Sequence, residues 1–131
     1  MKQVHVGMIG SGFAAALHAE SYRRVCGVEP VMKGVASVAP DTADFAKRFG
    51  FEKYTSDYRE LLADLEIDVV DIITPPVLHV EMIREALAAG KHVICEKPLT
   101  GYFGEKGGPE KVGTVPKKRS EEHTSELQSR I

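Results

Sequence analysis

The sequence has almost no excess of charge: 17 Lys and Arg stand against 19 Asp and Glu, a net charge of −2. That balance leaves no basic footprint for nucleic acid and no polybasic patch for an anionic membrane. Cysteine is scarce, with Cys26 and Cys95 the only two. Each falls within a helical or strand pattern, which reads as a pair of reduced core thiols in a cytoplasmic protein rather than a disulfide or a metal site. His5, His18 and His123 lack ligand spacing, so no metal centre is expected. No apolar run is long enough to cross a bilayer. A secretory signal is mimicked only superficially by Lys2 and the Ala14–Ala16 run, because His5, Gly7, Gly10 and Gly12 interrupt the stretch. What is present is a chain of 131 residues, 43% hydrophobic, sized for one domain.

Near the start, Val4, Val6, Met8 and Ile9 form a short apolar run followed by Gly10-Ser11-Gly12-Phe13-Ala14-Ala15. The pattern is G-x-G-x-x-A between a strand and a helical pattern (Leu17, Ser21, Val25). The first glycine permits a tight turn and the second lets the backbone approach a pyrophosphate. The small third residue allows helix to pack on strand, and the helix N-terminus offers free N–H groups to phosphate oxygens.

Further on, Val31 to Val38 reads as a second strand and Pro40 to Phe49 as a helix capped by Gly50, with Lys47 and Arg48 in its last turn. Tyr58, Leu61, Leu62 and Leu65 keep the spacing of a brief amphipathic helix. Val69 to Ile73 is a strand closed by Thr74-Pro75-Pro76; Val80, Ile83 and Leu87 mark a helix ended by Gly90; His92 to Cys95 is a last strand closed by Glu96-Lys97-Pro98. Strands alternating with helices predict an α/β fold, a Rossmann-type doubly wound parallel sheet with right-handed crossovers. Ligands of such sheets bind outside the carboxyl ends of the strands. Both closing segments, and the glycine turn, fall at such ends.

The glycine turn, Thr74-Pro75-Pro76 with His79 three residues on, Ala89-Gly90-Lys91-His92-Val93 and Glu96-Lys97-Pro98 together resemble the N-terminal domain of the Gfo/Idh/MocA oxidoreductases, over about Lys2 to Lys118. Other Rossmann reductases, of the biliverdin or dihydrodipicolinate type, fit less well because Gly-Lys-His and Glu-Lys-Pro occur together. The resemblance implies hydride transfer between NAD or NADP and a sugar, polyol or related hydroxyl or carbonyl compound, in a homo-oligomer. It assigns proton transfer to Lys97, with Glu96 holding that lysine and Pro98 often following a cis bond. Cofactor contacts are expected at Gly10, Gly12, Phe13, Ala14, Ser37, Thr74, Pro75, His79, Glu96 and Lys97. For His79 two roles stay open, touching the ligand or capping and packing.

The second strand ends at Ser37-Val38, where a dinucleotide fingerprint commonly carries an acid for the ribose 2′-OH, or Ser-Arg for a 2′-phosphate. Neither is present, so the choice between NAD and NADP stays open. Domain boundaries are expected as 1–100 for the cofactor domain, 101–118 for a linker or crossing segment, and 119–131 for a non-native tail. That tail, Arg119 to Ser129, resembles the in-frame translation of a sequencing-library adapter. On this reading the family's second, C-terminal α/β domain, with the partners of the lysine and the substrate pocket, is missing. The chain alone is then inactive, or is a stand-alone dinucleotide-binding module.

Overall fold

Residues 1–100 are described by a computed structural model; the expected linker and tail, 101–131, lie outside the described residues. The elements follow the alternation read from the sequence: β1 (Gln3–Ile9), α1 (Phe13–Tyr22), β2 (Glu29–Ala36), α2 (Thr42–Phe49), β3 (Lys53–Thr55), α3 (Tyr58–Ala63), β4 (Val69–Ile72), α4 (His79–Ala88) and β5 (His92–Cys95), with one 3-10 turn (Pro76–Leu78) leading into α4. The strands pair in parallel in the order β3-β2-β1-β4-β5. Order reverses between β1 and β4, which is where a doubly wound sheet opens a crevice.

Each sheet face has its own core, because successive side chains of a strand point to opposite sides. Ile9, Val70 and Ile72 pack on one face with Leu61, Leu62, Met82, Ile83 and Ala86 of α3 and α4. Met8 and Val35 pack on the other with Ala15, Ala19, Phe45 and Phe49 of α1 and α2. All four residues of β4 are buried, as a central parallel strand covered on both faces should be. Glycine ends α2 and α4: Gly50 (φ 76°) and Gly90 (φ 78°) adopt the left-handed conformation that side chains disfavour. Asp57 caps α3, its carboxylate accepting from the Arg59 N–H at 3.0 Å.

Several boundaries and faces differ from the sequence reading. The buried stripe of α1 is Ala15 and Ala19, whereas Leu17 and Val25 are exposed and Val25 lies beyond the helix. β2 ends at Ala36, leaving Val38 92% exposed, and α2 starts at Thr42 rather than Pro40. Leu65 follows α3 and is exposed. Cys26 is not a core thiol: it sits on the exposed connection after α1, while Cys95 is half-buried, and both are free.

Candidate functional site

Strand register sets the site. Ile9 stands level with Ala36 on one side and Ile72 on the other, and Ile72 is level with Cys95. The residues immediately after these, Ser37, Gly10, Ile73 and Glu96, therefore form a row along one edge of the sheet. Backbone bonds carry the pairing one step past the strands: the Gly10 N–H donates to Ala36 O (2.8 Å), Ile73 N–H to Ile9 O (2.9 Å) and Glu96 N–H to Ile72 O (3.0 Å).

At the centre of this row the chain turns into α1. A Cβ on Gly10 (φ 121°) would stand 2.3 Å from Ile73 O, so only glycine lets β1 and β4 approach here. Gly12 differs, since a Cβ there meets nothing within 4 Å and would project into open space. Gly12 is the N-cap of α1, no side chain caps that terminus and no acid lies in the first turn. The first N–H groups of a helix lack intrahelical partners and carry partial positive charge. An uncapped, acid-free terminus facing open space fits a pyrophosphate, whose oxygens accept from those N–H groups.

In front of the turn lies a cavity of 480 Å³. Of the residues expected at the cofactor, Gly10, Gly12, Ser37, Thr74 and Pro75 line it; Ser11, Val38, Asp41 and Leu78, which were not among the expected contacts, also line it. Ser37 Oγ accepts from the Ser11 hydroxyl at 2.8 Å and from the Ala39 N–H at 3.1 Å. With its acceptor sites engaged, its own O–H is the donor left for a ligand oxygen. Phe13 is exposed beside a shallow adjoining recess, and Ala14 is half-buried in the first turn of α1.

Lys97 is exposed at the end of β5, and the bond to Pro98 is cis. Glu96 precedes it, with Oε1 accepting from the Lys97 backbone N–H at 3.1 Å. His79 is not on the cleft surface. It is 0% exposed, with Nδ1 2.8 Å from Pro98 O and Nε2 2.9 Å from Thr74 O. Of the two roles left open, packing is the one this geometry fits: the ring ties the segment after β4 to the segment after β5, one layer behind the surface.

A polar cluster that the sequence did not disclose lies on the α1 side of this end of the sheet. Asp71 in β4 is 0% exposed, and its carboxylate accepts from the Tyr22 hydroxyl at 2.7 Å. His18 of α1 places Nδ1 2.9 Å from Asp71 Oδ2 and Nε2 2.9 Å from Glu96 Oε2. Burial disfavours the charged ring, yet the hydrogen bonds and charges of Asp71 and Glu96 outweigh it and raise the His18 pKa above 6.5. Glu96 is lowered, chiefly by the bond from His18 and then by the Lys97 N–H. Burial, and then the two carboxylates, push the Cys95 thiol up to about 11. One signal was available in the sequence: an Asp inside a strand of buried apolar residues requires partners nearby.

The parallel order, the crevice at its reversal and the uncapped glycine turn define a dinucleotide-binding Rossmann domain of an oxidoreductase. The chain belongs to the Gfo/Idh/MocA family, whose profile, described as "Oxidoreductase family, NAD-binding Rossmann fold", matches residues 4–105. It is 44% identical over 106 residues to levoglucosan dehydrogenase of Pseudarthrobacter phenanthrenivorans, covering 76% of this chain and 27% of that protein. It is 36% identical over 118 residues to the NAD(+)-dependent scyllo-inositol 2-dehydrogenase of Bacillus subtilis, covering 84% and 32% respectively. A solved levoglucosan dehydrogenase in complex with NADH aligns with a TM-score of 0.78 at 34% identity, over 99% of this chain and 32% of that one. Another was solved with NADH and L-sorbose (TM-score 0.72, 44% identity, 76% and 29%). The chain thus spans about a quarter to a third of the length of the relatives it matches.

Proposed function

We propose that this chain is the cofactor-binding part of an NAD(P)-dependent dehydrogenase acting on a hydroxyl group of a sugar or polyol. The observation that carries this reading is the alignment of the Gly10–Gly12 turn, Thr74-Pro75 and Glu96-Lys97 along one sheet edge. Bound there, the nicotinamide supplies or accepts the hydride. The N–H groups at the start of α1 hold the pyrophosphate, with Phe13 and Ala14 contributing backbone. Ser37 donates to the adenosine ribose, and Thr74 and Pro75 wall the crevice towards the nicotinamide. Lys97 takes the proton of the substrate hydroxyl as the hydride leaves and returns it in the reverse direction. Glu96 orients Lys97, and His79 holds the two strand-end segments at fixed spacing.

Cofactor choice follows from what flanks Ser37. Ser37 stands where a fingerprint acid would and Val38 where the arginine would, and Asp41 is the carboxylate lining that side of the cavity. An exposed carboxylate disfavours a 2′-phosphate only modestly in water. NADH therefore binds somewhat more tightly than NADPH, with a ratio of dissociation constants below about 100. A larger ratio in a fluorescence titration contradicts this account of the ribose site.

The levoglucosan and inositol dehydrogenases among the relatives support a sugar or polyol substrate. The 131-residue chain by itself binds cofactor without turnover, because Lys97 is exposed with nothing among the described residues to enclose a substrate over it. We place the protein in the cytoplasm and expect the full-length form to be a homo-oligomer. The decisive experiment replaces Lys97 in the full-length protein. Lys97→Met lowers kcat by about 10²–10⁴ with NADH affinity retained; unchanged turnover on a panel of sugars and polyols refutes the assignment.

A further inference from the structure

His18 lies between two carboxylates, a placement that the cofactor cleft does not require. Each of its ring nitrogens faces an acid: Nδ1 faces Asp71 (2.9 Å to Oδ2, 3.1 Å to Oδ1), and Nε2 faces Glu96 Oε2 at 2.9 Å. A neutral imidazole has one N–H and one lone pair, so one nitrogen would turn a lone pair towards a carboxylate. The doubly protonated ring donates to both. Asp71 is fully buried on β4, where the charge of His18 and the Tyr22 hydroxyl are its polar partners in the cluster. Each acid meets one ring nitrogen, so the cluster has the form of a bridge from β4 through α1 to the residue after β5.

The bridge connects the two halves of the proposed site. α1 begins at the phosphate turn, and His18 sits within it, about 9 Å along the axis from Gly12. Glu96 ends β5 and is held at both oxygens, Oε2 by the His18 ring and Oε1 by the Lys97 backbone N–H. We propose that His18 is a positioning residue for Lys97: an imidazolium bridging Asp71 and Glu96 that fixes the Glu96 carboxylate, and through it the Lys97 backbone, against the helix that carries the phosphate turn. The proposal rests on the reading of Lys97 as the proton-transfer residue. It goes beyond that reading by making the placement of Lys97 depend on the charge of a side chain on α1.

The pH dependence has a definite sign. The titratable groups facing His18 are Tyr22 on its own helix, Asp71 on β4 and Glu96 just beyond β5, with the charge of Lys97 beyond Glu96, while Cys95 lies on the opposite sheet face with Ile72. The folded pKa of His18 lies above 6.5, so its contribution is complete below pH 6.5 and is lost as pH rises through the folded value. Glu96 runs the opposite way, complete above 4.5 and lost as pH falls through its lowered folded value. The bridge is whole between these limits and opens first on the alkaline side, through His18.

The test is a ¹⁵N NMR titration of the whole 131-residue chain, following the His18 ring nitrogens and the Lys97 backbone amide. Both ring nitrogens are expected to be protonated at pH 6.5, with a midpoint above that value, and the Lys97 amide to shift with the same midpoint. Glu96→Gln should lower the His18 midpoint by about one unit, the lower end of what an opposite charge at contact distance does, and erase the response at Lys97. A purely structural His18 leaves the Lys97 amide still while the ring titrates; that result, or a midpoint at or below 6.5 in the wild-type chain, overturns the proposal. The readout is an amide shift rather than turnover. Its failure removes the bridge and leaves the Lys97 reading standing, whereas the activity of Lys97→Met bears on that reading alone.

Discussion

Gly10 and Gly12 stand two residues apart and meet opposite surroundings, which separates their roles. Gly10→Ala forces a Cβ to 2.3 Å from a backbone oxygen at φ 121°, and is expected to destabilise the fold by about 2 kcal/mol or more in urea denaturation. Gly12→Ala meets no clash; stability should stay within about 1 kcal/mol, while NADH affinity falls about tenfold or more as a methyl group enters the phosphate cradle. If Gly12→Ala binds NADH like the wild type, the pyrophosphate is not at this turn. The placement of Gly10, Gly12 and Ser37 at strand ends was legible because a strand and the turn that follows it are local in sequence. His18 was not legible, because its partners are 53 and 78 positions away. As pH rises from 6.5 through the raised folded pKa of His18 the wild-type chain should lose stability, and His18→Gln should flatten that slope. Equal slopes in the two chains exclude an ion-pair contribution from the ring.

At the scale of elements, caps and strand alternation were readable and helix faces less so. Gly50 and Gly90 ended α2 and α4 as read, because a left-handed residue after the last turn is a backbone requirement. α1 misled because its contact with the sheet is made by Ala15 and Ala19. Small side chains allow close approach while contributing little hydrophobic periodicity, and exposed Leu17 then dominates the pattern. Leu65 misled for a related reason, since spacing alone continued a helix that ends at Ala63. The link from α3 to β4 depends on Lys91, a buried lysine whose ammonium donates to Asp64 O at 2.6 Å and Ile67 O at 2.9 Å. Lys91→Met leaves these carbonyls without that donor and should cost about 2–4 kcal/mol, read as a lower denaturant midpoint with an unchanged slope. A loss under about 0.5 kcal/mol, the range of an ordinary surface substitution, means that water replaces the ammonium.

For the whole molecule, the strand order β3-β2-β1-β4-β5 converts four sequence-distant segments into one edge. Alternating strands and helices made the parallel sheet and its carboxyl-end site predictable. The dimensions of the cleft, the seat of Asp41 in it and the retreat of His79 behind it depend on tertiary placement that spacing does not encode. The account predicts that NADH binds across the reversal of strand order, and amide-resolved NMR titration of the 131-residue chain with NADH tests this most directly. Saturable shifts at Gly10, Gly12, Phe13, Ala14, Ser37, Thr74 and Lys97, with Val4, Asp68 and His92 at the other end of the strands unmoved, are the predicted result. Shifts concentrated at Val4, Asp68 and His92, or no saturable change, would contradict it.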